Sequence, residues 1–120
     1  MSWSLDVKTD EFTFKMDGET FQKFLRTPDP EFPHLTRPVI LKSGLELSIQ
    51  RGRGWHSNTT MCAQFSYRYT TVEVKTSRRI ASWAEYKTSI VSGCYIYSYV
   101  PVDRVIRLIN RNGGVKQYGY

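Results

Sequence analysis

Three arginines near the end of the chain, Arg104, Arg107 and Arg111, stand at i, i+3 and i+7, the spacing that lines side chains along one helical face. A guanidinium is a planar fork that makes two parallel hydrogen bonds to a phosphate or carboxylate, so such a face is suited to an oxyanion. Bringing three like charges together costs a few tenths of a kcal/mol per pair, and no glutamate is interleaved to relieve them. A second basic cluster, Arg51-Gly52-Arg53-Gly54, sets two guanidiniums around glycines that allow close backbone approach to an anion. It has no Gly-Lys-Ser/Thr sequence and does not open a helix, and a turn with solvated charges explains it equally well. Aromatic rings follow: Trp83 and Tyr86, then the alternating Tyr95, Tyr97 and Tyr99. A ring can stack on a nucleobase for about 1–3 kcal/mol. The alternating tyrosines also fit a strand face packed beneath a helix.

Catalytic chemistry has little to build on. His56 lies near Ser57 and Thr59 in a Gly-rich stretch, with no third group in sequence to orient it. After residue 40 the acids are Glu46, Glu73, Glu85 and Asp103 alone, a thin supply for a paired acid and base. Two cysteines (Cys62, Cys94) and two histidines (His34, His56) show no metal-ligand spacing and no disulfide framework. We therefore expect a protein without catalytic residues, metal or cofactor. Asn58-Thr59-Thr60 matches a glycosylation acceptor but follows no secretory signal.

The charge distribution points the same way as the arginine face. Net charge is +6, yet residues 1–40 carry five basic and seven acidic groups, against twelve basic and four acidic in residues 41–120. Ten of the seventeen basic residues are arginine, which favours phosphate over a diffuse polyanion. Two partners fit arginine with aromatic rings: a nucleic-acid strand, or a small phosphorylated nucleotide held in a pocket. The absence of a Lys-rich stripe and of RNP or helix-turn-helix patterns favours the pocket.

At 120 residues with 40% hydrophobic and 14% aromatic content, the chain can bury a core unaided and reads as one domain, 1–120. No apolar run spans a membrane and the N-terminus lacks a signal-peptide pattern, so a cytoplasmic protein is expected. Residues 11–16 alternate as a strand, and Asp17 caps a short helix over Glu19–Arg26 in which Phe21, Phe24 and Leu25 share a face. The proline-rich stretch from Arg26 to Pro38 separates this N-terminal addition (1–36) from a ligand-binding core (37–120). In the core, Val39–Leu41 and Leu45–Gln50 read as a hairpin turning at Gly44, and 51–60 as a basic loop. Phe65–Val74 reads as a strand, 75–93 as irregular and Tyr95–Val100 as a strand. Pro101 opens a helix with Asp103 in its first turn, an apolar stripe through Val102, Val105, Ile106, Leu108 and Ile109, and Gly113-Gly114 at its end. The expected fold is α+β: a small antiparallel sheet with a C-terminal helix on one face and a short N-terminal strand and helix added.

Over residues 38–115 the order LKSGLELSIQ, a Gly/Ser-containing loop, YTTVEV, and a Tyr-rich strand running into YVPVDRVIRLINRNGG resembles the anti-Thoeris sponges of phages. The resemblance implies a non-enzymatic counter-defence protein that sequesters cyclic ADP-ribose isomers or cyclic oligonucleotides in Arg-lined pockets between protomers of a dimer or hexamer. It implies that Arg107 and Arg111 contact ligand phosphates and that Trp83 or Tyr86 stacks on the base. Arg104, Arg51 and Arg53 rank behind them. The family's polar residue before the final strand has no counterpart near Ser92-Gly93, and residues 1–36 have none either. A basic nucleic-acid-binding accessory protein is the alternative.

Overall fold

The computed structural model describes residues 16–52, 57–61 and 67–119. Among these, seven strands form one antiparallel sheet accompanied by two α-helices and a 3-10 turn, an α+β fold. In chain order the elements are α1 (Gly18–Leu25), β1 (Val39–Leu41), β2 (Glu46–Gln50), β3 (Asn58–Met61), β4 (Tyr67–Thr76), the 3-10 turn Ala81–Tyr86, β5 (Lys87–Val91), β6 (Cys94–Pro101), α2 (Val102–Arg111) and β7 (Val115–Tyr118).

The sheet order is β5-β6-β4-β2-β1-β7, with β3 also paired to β4. Val74 faces Ile49 on one side and Tyr97 on the other, while Thr71 faces Asn58 and Pro101. Strands β2 and β3 therefore run along the same edge of β4, one after the other. Between β2 and β3 the Gly52 N–H donates to the Ser57 hydroxyl at 2.8 Å, with Gly52 at φ +94°.

Strand β6 carries a bulge. Val72 pairs with Val100 and Val74 with Tyr97, so two steps on β4 match three on β6. The extra residue lets Tyr97 and Val100 both face the core although they are three apart. It also leaves Tyr99 exposed at φ +53°. At the other end of β6, Val91 pairs with Cys94 across Ser92-Gly93, both at positive φ, a two-residue hairpin turn matched to strand twist.

Helix α1 begins as the sequence reading expects: the Asp17 carboxylate accepts the Thr20 N–H at 2.7 Å. Phe21 and Leu25 enter the core, and the buried Gln22 does something a hydrophobic residue could not. Where β6 has ended, its carboxamide donates to the Tyr69 carbonyl at 2.7 Å and accepts the Tyr69 N–H at 2.9 Å. A second carboxamide, that of Asn110 on α2, accepts the Met16 N–H and donates to the Met16 carbonyl. These two amides act as short surrogate strands, satisfying backbone groups that would otherwise lie unpaired at the join. The N-terminal helix thus contributes Phe21 and Leu25 to the same core as the sheet.

Helix α2 starts after Pro101, whose fixed φ suits a helix start, and ends where Gly113 and Gly114 take φ +90° and +92°. Val105, Leu108 and Ile109 are buried against β4 and β6, and α1 packs beside it.

Three strands differ from the sequence reading. Lys87–Val91, read as irregular, is the edge strand β5; all five residues are exposed, so no apolar alternation marks it, and its pairing with β6 holds it. Asn58–Met61, read as loop, is β3, and Val115–Tyr118 is β7, both too short for a periodicity signal. Strand β4 runs from Tyr67 to Thr76, two residues past the expected end, because Thr76 pairs with both Leu47 and Tyr95. The strand expected over 11–16 falls, except for Met16, outside the described residues.

Candidate anion-binding site

The apolar stripe of α2 is committed to the core, which leaves its arginines on the flank where the 3-10 turn folds beside them. Arg104, Arg107 and Arg111 line a cavity of about 130 Å³ together with Leu108 of the same helix and Ser82 and Trp83 of the turn. Arg104 is half-buried and the other two are exposed. Among the described residues no acidic side chain lines the cavity, and none of the three guanidiniums has an ion-pair or hydrogen-bond partner. An ion pair on the described surface, Arg68 with Glu19 at 2.7 Å, lies elsewhere and is solvent-exposed.

The turn is held in place from beneath. The Ile80 N–H donates to the Tyr97 hydroxyl at 2.8 Å, and the Tyr97 and Trp83 rings cross at 82° with centroids 5.4 Å apart. Both rings are buried, so the turn is anchored to the sheet and not draped over it. Such an anchored wall stands beside the half-buried Arg104, where water is partly excluded and a charge-assisted hydrogen bond is worth more.

The structure brings together Arg104, Arg107, Arg111 and Trp83 of the residues picked from sequence. Trp83 is a wall and not an open stacking surface: it is 2% exposed, with its ring spent on Tyr97. Tyr86, at the end of the same turn, is half-buried against the core and does not line the cavity. Arg51 is occupied elsewhere. Its Nε donates to the Leu25 carbonyl at 2.6 Å and its Nη1 to the His34 carbonyl at 3.2 Å. A cation at the last carbonyls of α1 also meets the negative end of the helix dipole, so Arg51 staples the N-terminal helix to the sheet. Arg53 and His56 lie outside the described residues. Of the tyrosines of β6, Tyr97 is buried, Tyr95 is partly buried against the core, and Tyr99 points out.

Ser82 was not legible as a site residue, because its place beside the arginines depends on how the turn docks. Among the described residues no cluster of three or more His, Cys, Asp or Glu could hold a metal ion, and no helix is long and apolar enough to cross a membrane.

The fold and the site together define an α+β protein with an arginine-lined cavity. No protein-family model matches this chain, and no curated protein or solved structure matches it either.

Proposed function

We propose that this protein binds a small phosphorylated nucleotide at the α2 arginines and holds it unaltered, acting as a sequestering protein and not as an enzyme. The observation that carries the reading is the convergence of three guanidiniums without acidic partners on one cavity also walled by Ser82 and Trp83. A tetrahedral phosphate meets forked donors there from one helix and a hydroxyl from the turn, with no carboxylate among the described residues to repel it.

The size of the cavity adds a second point. Pockets for drug-sized molecules run to about 300–1,000 Å³. A space of about 130 Å³ takes a phosphate and leaves the rest of a nucleotide outside it. Such a ligand needs further cover, and a second copy of the chain supplies it in the reading we favour, a homo-oligomer with ligand between protomers. The resemblance of residues 38–115 to the anti-Thoeris sponges supports the same conclusion and narrows it. The ligand is then a cyclic ADP-ribose isomer or a cyclic oligonucleotide, and the setting is phage counter-defence in the host cytoplasm.

Native mass spectrometry of the protein with a panel of cyclic nucleotides and ADP-ribose isomers tests this. An even-numbered oligomer carrying ligand of unchanged mass is expected. A monomer that shifts only with added oligonucleotide, or a ligand returned with altered mass, overturns the proposal.

A further inference from the structure

A second cavity, on the opposite side of α1 from its core face, has a different chemistry. Phe24 is half-buried, and its ring lies 5.4 Å from that of Tyr118 on β7, tilted by 31°. Phe21 backs it at 6.0 Å in a stacked arrangement. Pro28 and Pro30 form another wall, one without backbone N–H donors and with little conformational freedom. This open groove has a volume of about 340 Å³, within the range of small-molecule sites. Two cations, Lys23 and Arg37, stand at this apolar cavity, with no acidic residue among the described residues that line it. Neither has an ion-pair or hydrogen-bond partner among the described residues.

We propose that this cavity is a second binding site, for a small molecule in which a flat aromatic ring carries a negatively charged group. The ring lies against Phe24 and Tyr118, and Lys23 and Arg37 take the charge. An aromatic wall rewards a flat ring by offset or edge contact. Two unpaired cations beside an apolar surface disfavour a neutral or cationic guest, because their charge is felt more strongly where water is displaced. The partial desolvation of the site is visible in Tyr118, whose hydroxyl titrates above its ordinary value because burial disfavours the phenolate. The inference stands independently of the proposed function, since the two sites share no residue.

Calorimetric titration with 2-naphthyl phosphate, 2-naphthoate and neutral 2-naphthol tests it and separates phosphate from carboxylate as the preferred group. Saturable binding of at least one anion is expected, with 2-naphthol about tenfold weaker or more, equivalent to about 1.4 kcal/mol. Measured in an Arg107→Ala with Arg111→Ala background, so that anion binding at the helix does not contribute, Lys23→Ala with Arg37→Ala, and separately Tyr118→Ser, should each weaken the anion by a similar factor. All five positions changed, Lys23, Arg37, Tyr118, Arg107 and Arg111, are surface-exposed, so unchanged melting temperatures are the accompanying control. Absence of saturable anion binding in that background, equal affinity for 2-naphthol, or unchanged affinity in the Lys23/Arg37 and Tyr118 variants overturns the assignment.

Discussion

Tyr97 holds Trp83 edge-on at 5.4 Å and, through its hydroxyl, fixes the Ile80 N–H that opens the turn carrying Trp83. One side chain of the sheet thus sets both the floor and the entry of the segment that walls the arginine cavity. The relation couples packing to the site: what loosens the turn also moves Ser82 and Trp83 relative to Arg104, Arg107 and Arg111.

Tyr97→Phe separates these two roles. It keeps the ring contact and removes the hydrogen bond, a loss of about 0.5–1.5 kcal/mol. The melting temperature should fall by a few degrees and phosphate affinity severalfold, whereas a merely structural hydroxyl would move the first and spare the second. Thermal denaturation and phosphate titration of the same sample read both.

Gln22→Ala should be more damaging than its position near the N-terminus suggests. It strands the N–H and carbonyl of Tyr69, which its carboxamide now satisfies at 2.9 and 2.7 Å. An unpaired buried polar group costs about 1–3 kcal/mol. Urea denaturation should show a midpoint shift of that order, with amide exchange at Tyr69 accelerated. An unchanged midpoint would mean that α1 is not tied to β4 through this residue.

The α1 cap supplies a pH dependence. The Asp17 carboxyl is held below its ordinary value of 3.8, first by the hydrogen bond from the Thr20 N–H and then by the Thr20 side chain. The folded state therefore favours the carboxylate. Its contribution is present above the unfolded value and is lost as pH falls through the lowered folded one. Asp17→Asn keeps a neutral cap, so the stability difference between wild type and variant, measured by thermal melts between about pH 2 and 7, should shrink toward the acid end. A difference that stays constant with pH would contradict the assignment.

Much of the architecture was legible because its signals are local. The stripe Val105, Leu108, Ile109 between Pro101 and Gly113 marks α2, and Asp17 ahead of Phe21 and Leu25 marks α1. The alignment of Arg104, Arg107 and Arg111 follows from helical spacing alone. What was not legible depends on contacts distant in sequence. Lys87–Val91 is a strand only because β6 pairs with it, and Arg51 is a staple only because Leu25 and His34 present carbonyls to it. Trp83 looks like a stacking ring in a polar segment, and only the docking of that segment on Tyr97 buries it. The aromatic cavity joins Phe24 to Tyr118, two residues almost a chain length apart, through the pairing of β7 with β1.

The most direct measurement is calorimetric titration of inorganic pyrophosphate into the wild type and into Arg107→Ala with Arg111→Ala. Both arginines are exposed and their removal relieves like-charge repulsion, so the variant should melt no lower than wild type. The account predicts saturable binding to wild type that the double variant loses by about tenfold or more at unchanged fold. Wild-type affinity in the folded double variant would contradict it.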